Sequence, residues 1–188
     1  YVLVVADGIG GSGHGELASE LILRIGWELA SAEPSWMMKF EPGNWDQVRD
    51  QVTDFVQRMQ RELQSHAEAD PRLAGMGTTW TCAYLMGTTG LLAHVGDSRA
   101  YRFRRGRLEQ LTSDHTFARE LETLGVSPAE ASPFQHVLTN AFGAHNDGVR
   151  PDVAQFQLED RDRLLVCSDG LYNMVSDVQI AATLSERL

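Results

Sequence analysis

Apolar and polar positions in the first third of the chain predict one strand and two helices. Residues 1–6 form an unbroken apolar run rich in β-branched side chains, which is typical of a strand buried on both faces. Apolar residues then recur every fourth position from Glu16 to Ala30, on one face of a helix expected to end near Pro34. A second apolar stripe follows Asn44, which forms a capping pattern with Gln47. We expect the two helices to pack on a common sheet.

The remainder of the chain is divided into short β-prone runs by turn sequences. Four consecutive runs predict an antiparallel meander, at residues 78–86, 91–96, 100–103 and 108–112. Further strands are predicted at residues 136–139, 153–158 and 164–167. Because helices are grouped early and strands are grouped in meanders, the pattern favours an α+β fold with sandwich-like layers over alternating βαβ units.

Two more helices are predicted in the second half of the chain. One runs from Phe117 to Leu124 and is expected to stop at Gly125, since glycine readily adopts the left-handed conformation that ends a helix. An exposed excursion follows at residues 127–133. Ser176 and Gln179 form the pattern of a capping box, which predicts a last helix that runs to the chain end.

Composition limits the classes of protein to which the chain can belong. With 188 residues, 43% of them hydrophobic, residues 1–188 are expected to form a single domain, and a strand that begins at Tyr1 suggests missing sequence. A formal net charge of -10 argues against a nucleic-acid partner. No apolar stretch approaches the roughly 20 residues that cross a bilayer, so we expect no membrane segment and a cytoplasmic location. Cys82 and Cys167 are expected to be reduced core thiols.

Two predicted strands end in the same dipeptide, Asp-Gly, at Asp7-Gly8 and at Asp169-Gly170. If the strands lie side by side, both carboxylates emerge at one edge of the sheet, where a hard cation such as Mg²⁺ or Mn²⁺ finds convergent oxygen ligands. Glycine after each aspartate lets a backbone carbonyl approach the ion. Asp-Gly is also a common turn, and Asp147-Gly148 is interpreted as one.

A dinucleotide-binding loop is the competing interpretation of the first glycine-rich segment. Residues 8–13 match the GxGxxG pattern between a strand and a helix. A Rossmann unit then needs a second buried strand that ends in an acidic residue, whereas residues 31–47 are polar, contain proline and show no strand pattern. The context therefore argues against this alternative.

A third acidic position, Asp97, follows the second strand of the predicted meander. A local ion pair with Arg99 or a turn at Asp97 would explain it without any ligand. Asp114 and His115 have an equally simple explanation, as a helix cap and a surface histidine.

Taken in order, seven segments resemble the bacterial type of metal-dependent protein serine/threonine phosphatase, the type 2C or PPM family. The segments are residues 5–11, 15–19, 75–79, 93–102, 111–115, 137–143 and 162–171. The resemblance covers essentially the whole chain, and an ordered series is far more specific than any single motif. It implies a four-layer α-β-β-α sandwich, with two antiparallel sheets face to face, helices outside, and a dinuclear metal site at one end.

The resemblance also assigns roles to residues. Asp7 would bridge two Mg²⁺ or Mn²⁺ ions, Gly8 would contribute its carbonyl oxygen, and Asp169 would hold one ion from the opposite sheet. Asp97 would match the ligand of a weaker third metal. Residues 116–132 would form a variable flap beside the site, suited to substrate discrimination.

The implied reaction is hydrolysis of phosphoserine and phosphothreonine on proteins by a metal-activated water, without a phosphoenzyme. Phosphoproteins are the implied substrates, and a bacterial Ser/Thr kinase is the implied opposing partner. The family's phosphate-binding arginine, an acidic metal-site residue and a final metal-binding aspartate fall before Tyr1 or after Leu188, so the core is expected to be truncated at both ends. Ile9 stands where many eukaryotic members have a histidine. The alternative is a weakly active or inactive pseudophosphatase or sensor module with the same fold.

Overall fold

The described parts of the chain contain one four-stranded and two three-stranded antiparallel sheets. The computed structural model describes residues 1–10, 14–32, 44–70, 73–143, 146 and 148–186. Within them the strands are β1 Val2–Val5, β2 Gly8–Ile9, β3 Gly77–Thr78, β4 Trp80–Met86, β5 Thr89–Val95, β6 Arg99–Arg104, β7 Arg107–Gln110, β8 Phe142–Gly143, β9 Asp152–Gln157 and β10 Arg163–Cys167. The first sheet has the order β1-β4-β5-β9, the second sheet β10-β6-β7, and the small sheet β2-β3-β8.

Helices accompany these sheets along the described parts of the chain. They are α1 His14–Ala32, α2 Trp45–Ala69, α3 Phe117–Thr123, α4 Pro128–Ala131, α5 Asp169–Tyr172 and α6 Asp177–Ser185, with a 3₁₀ turn at Ser132–Phe134. No helix among the described residues is both long and apolar enough to cross a membrane.

Helices α1 and α2 pack together on one face of the first sheet. Their buried residues join those of the sheet in one core, which includes Ile22 and Ile25 of α1, Met59 and Leu63 of α2, and Val95 of β5. The predicted packing of two helices on a common sheet is therefore confirmed. The buried stripe of α1 is offset from the predicted one, because Leu17 is about half exposed while its neighbour Ala18 is fully buried.

A smaller apolar layer fills the space between the first and second sheets. It contains Ala83 of β4, Leu92 of β5, Phe156 of β9 and Ala100 of β6, with Val166 of β10 packed against them. Strand residues alternate between faces, so each central strand of the first sheet contributes one set of side chains to the helices and the other to the second sheet. This layer holds the ends of β1 and β10 close to each other.

The predicted meander is wrong at one point, because β5 and β6 belong to different sheets. The chain crosses between them at residues 96–98. Gly96 has a φ of 109°, and a Cβ there would lie 2.5 Å from Thr79 Cγ2. Only glycine fits this backbone conformation and this close approach, so the sharp turn that carries the chain to the second sheet depends on Gly96.

Two other strand predictions also differ from the structure. β1 is an edge strand with Val2 52% exposed, and it is therefore not buried on both faces within the described residues. Residues 136–139 form no strand, although Leu138 makes an isolated bridge with Thr116. An apolar run cannot by itself distinguish an edge strand from a central one, since the difference lies in the neighbouring strands.

Predicted helix ends agree with the structure where they can be compared. Asn44 precedes α2, although its side chain bonds that of Gln47 and caps no backbone group. Gly125 follows α3 with a φ of 91°, and Ser176 forms the predicted capping box of α6 with Gln179. The predicted helix end at Pro34, the turn residue Asp147 and residues 11–13 of the glycine-rich pattern lie outside the described residues.

Candidate metal centre

Asp7 lies directly beyond β1 and is held there through its backbone. Its N–H donates to Thr79 Oγ1 at 2.9 Å, and its carbonyl oxygen accepts from Thr79 N at 2.9 Å and Thr78 Oγ1 at 3.0 Å. Thr79 Oγ1 also bonds Ser98 Oγ at 2.8 Å. Both threonines are buried. These contacts satisfy the main chain of Asp7 and leave its carboxylate available for other partners.

Asp169 is the first residue of α5 and follows β10 in the second sheet. Its strand therefore does not pair with β1, and the arrangement of two neighbouring strands in one sheet, which sequence reasoning considered, is wrong. The two carboxyl groups meet across the sheets instead. Burial raises the pKa of Asp7, and a hydrogen bond and charge repulsion from Asp169 raise it further. Two carboxyl groups in such contact form a site where a cation is favoured.

Gly8 is in close contact with the start of α1. A Cβ on Gly8 would lie 1.9 Å from the carbonyl oxygen of Gly15, and a Cβ on Gly15 would lie 2.8 Å from the carbonyl oxygen of Gly8. The two backbones can approach this closely only because both residues lack a side chain. This contact places the first turn of α1 against the Asp7-Gly8 segment.

Asp97 lies in the crossover between the two sheets and is 9% exposed. Burial is the largest cause that raises its pKa to about 6, followed by the charges of Asp169 and Asp114. Because Asp7 is a weaker contributor to the same shift, all three aspartates of the predicted site lie within electrostatic reach of one another. The structure thus brings together Asp7, Gly8, Asp97 and Asp169.

Three of the simpler explanations are wrong, namely an Asp97–Arg99 ion pair, a helix cap at Asp114 and a surface position of His115. The turn considered at Asp97 agrees with the bend at residues 96–97. Arg99 pairs with Asp114, with Nη2 at 2.6 Å from Oδ2, and does not form the local ion pair proposed for Asp97. Thr116, and not Asp114, is the N-cap of α3. The ring of His115 is largely enclosed, because Nδ1 accepts from Gly96 N at 3.1 Å and Nε2 lies 3.2 Å from a carboxylate oxygen of Asp152.

The donor atoms of the site fit a hard divalent cation. They are carboxylate oxygens of Asp7, Asp97 and Asp169 and a main-chain carbonyl at Gly8, the ligand type preferred by Mg²⁺ and Mn²⁺. Among the described residues, no group of three or more His, Cys, Asp or Glu side chains is arranged to hold a metal ion. Mg²⁺ sites commonly use one or two carboxylates and several waters, so the two contacting carboxyl groups satisfy this requirement.

The raised pKa of Asp97 predicts how pH changes the stability of the metal-free protein. Its folded-state pKa of about 6 exceeds the ordinary 3.8, so the folded state binds the proton more tightly than the unfolded chain does. The stability contributed by this proton is present below pH 3.8 and is lost as the pH rises through about 6. In EDTA-treated samples, Asp97→Asn should therefore gain stability relative to wild type between these pH values. Urea unfolding at several pH values measures this difference, and a constant difference would contradict the prediction.

Comparison with known proteins decides which family has this arrangement. The family profile described as Protein phosphatase 2C matches residues 1–187. The chain belongs to the protein phosphatase 2C family. The resemblance inferred from the ordered motifs is thereby confirmed, and the dinucleotide-binding alternative is not supported, since every pair in the described sheets is antiparallel.

Named relatives of this phosphatase 2C chain are bacterial. Serine/threonine phosphatase stp of Listeria monocytogenes is 31% identical over 189 residues, which cover 99% of this chain and 72% of that protein. Serine/threonine protein phosphatase PstP of Mycobacterium tuberculosis is 35% identical over 186 residues, covering 97% of this chain and 34% of that protein. The solved catalytic domain of PstP in complex with 2 manganese ions superposes with a TM-score of 0.78 at 34% identity, covering 99% of this chain and 74% of that one.

Sequence reasoning missed several residues that support the site of this phosphatase 2C chain. Asn173 Nδ2 donates to Asp169 Oδ2 at 3.2 Å, and the hydroxyl of Tyr172 donates to the carbonyl oxygen of Asp97 at 3.0 Å. Thr79 and Ser98 connect the segments of Asp7 and Asp97. Asn173 and Tyr172 follow Asp169 within one helical turn, which is a usable signal. The Thr79–Ser98 contact joins two connecting segments far apart in the chain and has no local pattern.

Proposed function

We propose that this chain is a single catalytic core that hydrolyses phosphoserine and phosphothreonine on proteins with two Mn²⁺ or Mg²⁺ ions. The observation that carries the proposal is the contact between the carboxyl groups of Asp7 and Asp169, which come from different sheets and meet beside Gly8. Membership of the phosphatase 2C family supports the same reaction. The enzyme is a phosphoric monoester hydrolase.

Each residue of the site has a distinct task in this proposal. Asp7 would hold both ions, Gly8 would offer its carbonyl oxygen, Asp169 would hold one ion, and Asp97 would serve a weaker third ion. When bound, the cations lower the pKa of a water molecule and offset the negative charge of the phosphoryl group. The chain contributes positioning, because the backbone N–H of Asp7 donates to Thr79 Oγ1 and its carbonyl oxygen accepts from Thr78 Oγ1.

Asn173 completes the positioning on the side of Asp169. Its amide donates to one carboxylate oxygen, Oδ2, and so restricts the orientation of the carboxylate. The aspartates are also partly removed from water, as the raised pKa values of Asp7 and Asp97 indicate. Low local polarity strengthens the attraction between these carboxylates and a cation.

The finer architecture in this proposal is a four-layer sandwich with the metal site at one end between the sheets. Helices α1 and α2 cover the first sheet, the second sheet faces its other side, and α6 lies against β7 of the second sheet. Asp7 and Asp169 follow β1 and β10, which occupy the two facing sheets. This arrangement supports a site that both sheets build.

A polar cavity beside the aspartates is suited to the protein substrate. Its volume is about 350 Å³, and its lining includes Arg119 of α3, His136 and Asn173. Asn173 contacts Asp169 as well, so the cavity adjoins the candidate metal centre. In this proposal the flap, residues 116–132, discriminates between substrates, and the substrates are phosphoproteins. A bacterial Ser/Thr kinase acting in the cytoplasm supplies the opposing activity.

Manganese-dependent release of phosphate from a phosphothreonine peptide tests the proposal. We expect activity with Mn²⁺ or Mg²⁺, loss of activity with excess EDTA, and recovery when Mn²⁺ is restored. A Ca²⁺ sample with the same ionic strength controls for nonspecific screening. If the protein binds Mn²⁺ in calorimetry but releases no phosphate, the proposed phosphatase activity is contradicted and a pseudophosphatase or sensor module is favoured.

A further inference from the structure

Tyr172 connects two of the candidate metal-binding aspartates. It is the last residue of α5, the short helix that Asp169 begins. Its hydroxyl donates to the backbone carbonyl oxygen of Asp97 at 3.0 Å. Three residues of one helical turn and a single hydrogen bond therefore join the segment that holds Asp169 to the segment that holds Asp97.

Arg99 holds the ring of Tyr172 in place. Its guanidinium carbon lies 3.7 Å from the ring centroid, a cation–π contact. Arg99 is itself fixed by Asp114, through Nε to Oδ1 at 3.0 Å and Nη2 to Oδ2 at 2.6 Å. Such a two-point contact orients a guanidinium more strictly than a single hydrogen bond does. The ring of Tyr172 therefore rests on a side chain that has little freedom to move.

The backbone of Arg99 adds a second connection to the same place. Arg99 of β6 pairs with Cys167 of β10. Arg99 lies two positions after Asp97, and Cys167 lies two positions before Asp169. Strand pairing thus fixes the two segments at one point, and the Tyr172 hydroxyl fixes them at another. Two connections define the separation of the segments better than the strand pairing alone.

We propose that Tyr172 is a positioning residue that sets the separation of Asp97 and Asp169, and thereby the affinity for the weaker ion that Asp97 serves. The inference rests on the proposed function, since it concerns the weaker ion of that site. Tyr172 touches the carbonyl oxygen of Asp97 and no reacting group, and it acts through the aspartates. Arg99 and Asp114 support it by holding its ring.

The test compares Tyr172→Phe with a matched variant, Tyr101→Phe. Each substitution removes one hydroxyl from the surroundings of Arg99, because Arg99 Nη1 donates to Tyr101 OH at 3.0 Å. Only the Tyr172 hydroxyl reaches Asp97. Mn²⁺ titration by calorimetry measures the tight and weak binding steps, and amide hydrogen exchange in EDTA measures the mobility of residues 96–99 and 169–173.

We expect Tyr172→Phe to weaken the weaker Mn²⁺ step by about two- to tenfold, the range for one intramolecular hydrogen bond, and to leave the tight step unchanged. Exchange in both segments should be faster in this variant, while Tyr101→Phe should match wild type in both measurements. Equal behaviour of the two variants would overturn the proposal. Wild-type protein that binds no Mn²⁺ would contradict the proposed function. In that case, faster amide exchange in Tyr172→Phe but not in Tyr101→Phe would still support the connection between Asp97 and Asp169.

Discussion

Asp169→Asn is expected to lower the rate of phosphothreonine hydrolysis by about 10³-fold or more, and Asp7→Asn should do the same. Metal ions stabilise the transition state by several kcal/mol, and each 1.36 kcal/mol corresponds to a factor of ten in rate. An amide keeps the size of the carboxyl group but removes the charge that holds the ion. Initial rates at saturating Mn²⁺, measured beside the wild type, give the size of the loss.

The thermal stability of Asp7→Asn should rise although its activity falls. Burial and the contact with Asp169 raise the pKa of Asp7, so its ionised form is disfavoured in the folded protein. Asp7→Asn removes the repulsion between the two carboxylates and should raise the melting temperature in EDTA. Asp160→Asn is the control, because the Asp160 side chain is 96% exposed, and it should change neither quantity. A lower melting temperature for Asp7→Asn would show that its inactivity comes from unfolding.

Gly8→Ala is expected to have the second largest effect, because it alters the fold at the site itself. The new Cβ would lie 1.9 Å from the carbonyl oxygen of Gly15 and 2.1 Å from its carbonyl carbon. Both are backbone atoms, so no side-chain rotation relieves the overlap, and α1 must move away. We expect a loss of about 3 kcal/mol in the free energy of unfolding, with a matching loss of Mn²⁺ affinity.

Gly75→Ala is the matched control for this substitution. A Cβ on Gly75 meets no atom within 4 Å, so the free energy of unfolding should change by no more than about 0.5 kcal/mol. Denaturant unfolding and Mn²⁺ calorimetry on both variants measure the two effects. A Gly8→Ala protein as stable as Gly75→Ala would contradict the close contact between Gly8 and Gly15.

The local pattern of the sequence was sufficient for the two long helices and for the ends of two important strands, but it did not predict the short helices α4 and α5. The apolar stripes of α1 and α2 are visible in the sequence because each helix turns one face to a core. The Asp-Gly pairs mark where β1 and β10 stop. These features depend on residues within a few positions of one another, which is the range over which the sequence pattern is informative.

Residues far apart in the chain decided the rest. The apolar run of β1 predicted burial on both faces, yet its place at the sheet edge leaves Val2 half exposed. The chain leaves the meander at Gly96, where the close approach of Thr79, which lies between β3 and β4, permits only glycine. Arg99 pairs with Asp114 and not with Asp97, because strand geometry directs its side chain toward the segment before α3.

The sequence by itself thus determined the two long helices, the oxygen character of the donors and the family to which the chain belongs. No pattern in the residues placed Asp7 and Asp169 in separate sheets, which only the family resemblance implied. Their contact, and the Tyr172 hydroxyl that joins Asp169 to Asp97, come from the tertiary structure alone. The physical reason is that strand partners and sheet packing are selected by the burial of apolar layers between distant segments. No local pattern records which strands will share such a layer.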